Sequence, residues 1–239
     1  MRPDRMVLVC GTGTEVGKTW VAARLLTELR SRGRTVAARK PAQSFDVDRA
    51  GRRLGGATDA ELLGAASGEH PDDVCPSFRS YHRAMAPPVA AEVLGLPTFT
   101  VADLVGELDW PATVDVGLVE TAGGVRSPQA DDGDVCDLVA ALDPDLVVLV
   151  ADAGLGTINS IRLSMDALAG TRGALPAAPV VVVLNRFDGN HELHRRNHAW
   201  LGDRDGYTMV TLPGGDKDLA DLATAPPTGS HGTPTHRRP

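Results

Sequence analysis

The sequence predicts an α/β fold, a mainly parallel sheet with helices on both faces, on three observations. Short apolar runs alternate with longer stretches of helical spacing, the pattern of strands joined through helices. Several runs, such as LVVLVA and VVVVLN, are continuous and rich in β-branched residues, as expected of strands covered on both sides. The first run leads through a glycine-rich loop, GTGTEVGKT, directly into a helix.

Strands are expected at residues 6–10, 35–38, 114–119, 146–151, 180–184 and 207–212. The first helix is expected from residue 18 to 29, with Val21, Leu25, Leu26 and Leu29 on one face, and a second opens after Thr58 in GATDAELLGAAS. A chain of 239 residues fits one α/β domain, placed at residues 1–222. The stretch 223–239 is rich in proline, glycine and threonine without periodicity and is expected to be a disordered tail.

Composition excludes several function classes. With 24 basic and 31 acidic residues the net charge is −7, which argues against broad binding to nucleic acid or anionic membranes. Three widely spaced cysteines lack metal-ligand spacing and suit a reducing compartment. The first residues lack an apolar stretch of signal length and no segment is long enough to cross a bilayer, so a cytoplasmic location is expected.

The loop carries the chemistry. Gly11, Gly13 and Gly17 are expected to supply backbone angles closed to other residues, so that successive N–H groups turn around an anion at the positive end of a helix. Lys18 would reach a nucleotide's outer phosphates, and the Thr19 hydroxyl would bind magnesium. The strict motif has glycine where Thr12 stands, so this is a variant cradle, and the fold class becomes a P-loop NTPase-like α/β domain.

In such sheets ligands gather beyond the carboxyl ends of the strands, so each strand end is a candidate. Lys40 follows the second strand, stiffened by Pro41, with Ser44 in the next loop; it reads as a surface lysine or as a second cation at the phosphates. Asp59, in the first turn after Thr58, reads as a dipole partner or a magnesium contact. Glu120 and Asp152 both end strands beside glycines, and spacing does not choose between them as metal ligands. Asn185 suits a purine edge or an Asx turn. His194 and His198 share a helix face without the further ligands of a zinc cage, and no nucleophile elbow is present.

Together GTGTEVGKT, KPAQS, VETAGG, GLGTINS and the LN ending the fifth strand resemble the dethiobiotin synthase family, in order and spacing from about residue 6 to 212. The resemblance implies ATP- and Mg-dependent closure of a cyclic urea from 7,8-diaminononanoate and carbon dioxide in biotin biosynthesis, through a carbamate and its mixed anhydride with phosphate. It implies Lys40, Lys18 and Thr14 as catalytic groups, magnesium on Thr19, Asp59 and Glu120 rather than Asp152, and the diamine near Ser44, Glu15 and Lys40. The implied nucleotide contacts run through Gly13, Glu15, Val16, Gly17, Lys18, Thr19 and Trp20 in the loop. Elsewhere they fall on Asp59, Glu120, Thr121, Ala122, Gly123, Asn185, Arg186 and Pro213. A homodimer is implied, with GLGTINS serving the partner chain. Two departures stand out: Thr121 where the family commonly has glycine, and Phe45, expected to narrow the diamine channel. The competing readings are another small P-loop ligase, a partitioning-type switch ATPase and a paralogue that binds nucleotide without turnover.

Overall fold

The computed structural model describes residues 2–170 and 178–226. In chain order its strands are β1 (Arg5–Gly11), β2 (Val36–Arg39), β3 (Gln43–Ser44), β4 (Ser80–Tyr81), β5 (Val116–Glu120), β6 (Pro128–Ala130), β7 (Gly133–Asp134), β8 (Leu146–Asp152), β9 (Val180–Asn185) and β10 (Thr208–Thr211). The helices are α1 (Lys18–Ser31), α2 (Asp59–Ser67), α3 (Pro71–Val74), α4 (Pro87–Val93), α5 (Val101–Gly106), α6 (Val135–Leu142), α7 (Thr157–Gly170), α8 (Glu192–Ala199) and α9 (Asp216–Thr224). All six expected strands join one sheet, ordered β10-β9-β8-β1-β5-β2, and every pairing in it is parallel.

The continuous apolar runs follow from helices on both faces. Along β1, Met6, Leu8 and Cys10 belong to one core cluster and Val7 and Val9 to the other, because successive side chains alternate across the sheet. The first cluster is covered by α4, α5, α6 and α7; the second by α1, α2 and α9. The expected face of α1, Val21, Leu25, Leu26 and Leu29, is buried in the second. Thr58 opens α2, as the sequence suggested, and does so in a complete capping box with Glu61. α9 passes the expected domain boundary by two residues, and beyond residue 226 the tail lies outside the described residues.

Because β1 lies at the centre, with β5 and β2 on one side and β8 on the other, the crevice beyond its carboxyl end is the switch point of the sheet. The glycine-rich loop emerges there.

Burial has a measurable consequence for the thiols. Cys10 and Cys75 are both buried, and burial pushes each from the ordinary value of 9.0 up to about 12. A thiol that ionises later in the folded than in the unfolded chain contributes stability below pH 9 that is lost as pH rises towards about 12. Urea unfolding should show stability falling across that window by about 1.4 kcal/mol per pH unit per thiol. A flat profile between pH 9 and 11 would contradict the burial of these thiols.

Candidate functional site

The loop after β1 is held from behind by the end of β9. Asn185 Nδ2 donates to the Val16 carbonyl at 3.0 Å, and Arg186 Nη2 donates to the Glu15 carbonyl at 2.8 Å. In a planar trans peptide the N–H points opposite its carbonyl, so the amides of Val16 and Gly17 turn away from β9. Gly17, the N-cap of α1 at φ 92°, lies so close to Asn185 that a Cβ there would stand 2.1 Å from Nδ2. The expectation for the other two glycines is corrected. Neither adopts left-handed backbone: Gly11 is needed for space, since a Cβ would meet Val16 Cγ2 at 2.8 Å, and a Cβ at Gly13 would meet nothing within 4 Å. The second left-handed position in the loop is instead Glu15, at φ 61°.

Lys18 and Lys40 reach one cleft of about 540 Å³ from separate segments. Of the other expected site residues, Thr14, Glu15, Gly17, Thr19 and Ser44 line it, as do Asp59, Glu120, Ala122, Gly123 and Arg186. Lys18 Nζ donates to the Gly13 carbonyl at 2.9 Å. Burial, and then Lys40, hold the Lys18 ammonium below its ordinary value. Lys40 is more enclosed: its ammonium contacts Glu120 Oε1 at 2.7 Å, Asp59 Oδ2 at 2.8 Å and the Thr121 carbonyl at 3.2 Å. Burial pulls Lys40 down, but Glu120 and Asp59 outweigh it and hold the ammonium above the lysine range. Asp59 is correspondingly held below the carboxylate range, chiefly by Lys40, while burial pushes Glu120 up.

The two acids that spacing left in competition have separate surroundings. Glu120 is fully buried and its Oε1 lies 2.8 Å from the Thr19 hydroxyl, which also lies 2.9 Å from Asp59 Oδ1. Asp152 is half-exposed, pairs with Arg186 at 2.9 Å and accepts the Gly154 N–H at 2.8 Å. Thr19, Asp59 and Glu120 thus form a hard-oxygen set, and Glu120 Oε2 is buried without a hydrogen-bond partner among the described residues. That donor set fits a divalent cation whose remaining ligands are phosphate and water oxygens. Among the described residues no group of three or more His, Cys, Asp or Glu is arranged to hold a metal by itself.

A family model described as "AAA domain" matches residues 5–208. The ATP-dependent dethiobiotin synthetase BioD of Haloferax mediterranei is 35% identical over 212 residues, covering 86% of this chain and 82% of that protein. The protein of the same description from a Caulobacter species (strain K31) is 34% identical, covering 95% of this chain and 99% of its own. The chain belongs to the ATP-dependent dethiobiotin synthetase family. Among solved structures, a plasmid partition protein from Borrelia burgdorferi aligns with TM-score 0.54 at 13% identity, covering 93% of this chain and 97% of its own. That likeness supports the P-loop NTPase fold alone.

The dethiobiotin synthetase family uses ATP with magnesium, and the oxygen set above suits that ion. Some residues the family resemblance pointed to lie off the cleft. Asn185 is buried and engaged with Val16; Val16 faces it through its carbonyl. Trp20 is exposed on the first turn of α1, with the Arg24 guanidinium 4.8 Å from its ring. Pro213 is exposed just after Leu212, whose N–H donates to the Leu184 carbonyl at the end of β9. Thr121 does not crowd the cleft: it is fully buried, with its hydroxyl towards the Val9 carbonyl at 3.4 Å. Phe45 does not line the cleft; its ring packs 5.1 Å from that of His82 and beneath Arg53. The paired histidines pack their rings on Phe187 at 6.0 and 5.9 Å.

Two residues escaped the sequence reading. Gln43 lines the cleft, donates to Ser80 Oγ at 2.8 Å and accepts the Ala60 N–H at 3.1 Å, so it fixes the start of α2 and with it Asp59. Its only signal was a polar side chain between Lys40 and Ser44. Gln129, on the β6–β7 ribbon, clasps Ala122 through both backbone groups at 3.0 and 2.8 Å, and nothing local in the sequence announces that.

Proposed function

We propose that the chain closes the cyclic urea of dethiobiotin from 7,8-diaminononanoate and carbon dioxide, with ATP converted to ADP and phosphate. The observation that supports this most is the convergence of Lys18 and Lys40, carried on different segments, on one cleft that also holds an oxygen set for magnesium. The carbamate formed on one amine takes the phosphoryl group, and the second amine attacks the resulting mixed anhydride. No protein nucleophile is required; the residues orient and neutralise. Lys18, the loop amides and Thr14 hold the transferring phosphoryl group, Lys40 faces the carbamate, and Ser44 and Glu15 hold the diamine at the cleft mouth. Thr19, Asp59 and Glu120 hold magnesium, which when bound neutralises phosphate charge. The Asn185–Arg186 turn and Pro213 lie towards the base. The enzyme works in the cytoplasm as a homodimer; Leu155, 92% exposed in the GLGTINS loop, and Leu163 on α7, 62% exposed, are the apolar groups that such an interface would cover.

The test is incubation of the pure protein with ATP, magnesium, ¹³C-bicarbonate and the diamine. The expected result is labelled carbon in a cyclised product, with ADP release that depends on the diamine. ADP release without the diamine would point to a switch ATPase. Neither signal would leave a nucleotide-binding paralogue.

A further inference from the structure

Lys40 lies in the middle of the groups that a divalent cation needs. An ammonium has three hydrogens, and all three are used: on Asp59 Oδ2 at 2.8 Å, on Glu120 Oε1 at 2.7 Å and on the Thr121 carbonyl at 3.2 Å. Thr19 Oγ1 touches the same two carboxylates at 2.9 and 2.8 Å. The side chain is 2% exposed, so water does not compete for these contacts. A magnesium ion takes carboxylate oxygens at about 2.0–2.1 Å, inside the space that the ammonium fills. Two cations sharing Glu120 Oε1 and the Asp59 carboxylate in a buried setting repel strongly.

We infer that Lys40 is an internal counterion for the Asp59–Glu120 pair and gives the pair up when a divalent cation loads. Its ammonium is then a free cation in the cleft only in the metal-loaded protein. This rests on the proposed synthetase reading and deepens it: the lysine that faces the carbamate is engaged by carboxylates until magnesium is present, so metal loading and readiness for the diamine are one event. The Lys18 ammonium donates to the Gly13 carbonyl and, among the described residues, hydrogen-bonds to neither carboxylate of this pair, so it needs no such exchange.

The experiment reads metal binding without turnover, on the full chain, first without nucleotide and then in the ADP complex. Mn²⁺ affinity is measured by electron paramagnetic resonance for the wild type, Lys40→Met and Lys18→Met. Lys40→Met is expected to bind Mn²⁺ at least tenfold more tightly than wild type, and Lys18→Met to change affinity less than threefold. Equal effects of the two substitutions would mean only a general charge effect and would overturn the inference, as would unchanged or weaker binding in Lys40→Met. Should Lys40→Met not fold, the wild type answers alone. The chain contains three lysines, Lys18, Lys40 and Lys217, so ε-¹³C-lysine labelling gives three resolvable signals. Saturating Mg²⁺ added to the ADP complex is expected to move the Lys40 signal and leave that of exposed Lys217 in place; an unmoved Lys40 signal overturns the inference. Ring closure by the wild type is scored separately, so an active synthetase with an unresponsive Lys40 sinks this inference and leaves the function standing.

Discussion

Lys40→Ala is expected to lower kcat for ring closure by about a thousandfold or more, with the KM for ATP within about threefold of wild type. The asymmetry follows from its position. On the proposed reading the loop amides and Lys18 hold ATP, while the Lys40 ammonium contacts Asp59, Glu120 and the Thr121 carbonyl rather than the Gly13 carbonyl that Lys18 meets. The carbamate is an anion as soon as it forms and must be brought against the anionic γ-phosphate, so the lost cation is felt when the two anions meet in the transition state and little in the binding of ATP alone. A second readout comes from stability. Glu120 is fully buried, and removing the ammonium 2.7 Å away leaves its charge uncompensated. Breaking a buried pair from one side costs about 3–5 kcal/mol. Urea unfolding in metal-free buffer should show a loss of that size. Near-normal kcat, or a stability change below about 1 kcal/mol, would remove Lys40 from its assigned place.

The sheet was legible because its signal is collective. The six strands of the central sheet are four to seven residues long, largely apolar and covered on both faces or nearly so, and a run such as 146–151 needs no tertiary information to be read. Residues 68–113 were opaque for the opposite reason: α3, α4 and α5 are four to seven residues long, too short for a helical period to repeat. Within the site, the sequence could name the groups at strand ends but not how they pair. Asp152 and Glu120 look alike in sequence; they differ because Arg186 reaches one and Lys40 and Thr19 reach the other, across 34, 80 and 101 residues of chain respectively. The loop glycines mislead in the same way. Whether a glycine supplies a dihedral angle or merely space depends on what approaches it, and at Gly11 the neighbours are Val16 and the stem of Lys18.

That stem frames the second large effect. Lys18→Ala is expected to raise the KM for ATP at least about tenfold and to lower kcat/KM by about a thousandfold or more, so that binding and turnover fall together. The side chain is 7% exposed at the first residue of α1, and burial together with Lys40 already holds its ammonium below the ordinary value. A cation so weakly solvated gains more from a phosphate than a surface lysine does, in the bound nucleotide as well as in the transition state. Arginine should not rescue it. The Lys18 ammonium is a compact point charge on a buried side chain, donating to the Gly13 carbonyl at 2.9 Å, and the broader planar guanidinium does not reproduce that placement. The lowered pKa adds a signature in pH. The charged form of Lys18 is present below its pKa and lost as pH rises through it, so kcat/KM of the free enzyme should decline on an alkaline limb that begins below the ordinary lysine value of 10.5. If Lys18→Ala kept the wild-type KM for ATP, the loop would not be where the phosphates bind; an alkaline limb that began only above 10.5 would contradict the desolvation of Lys18 and leave the site in place.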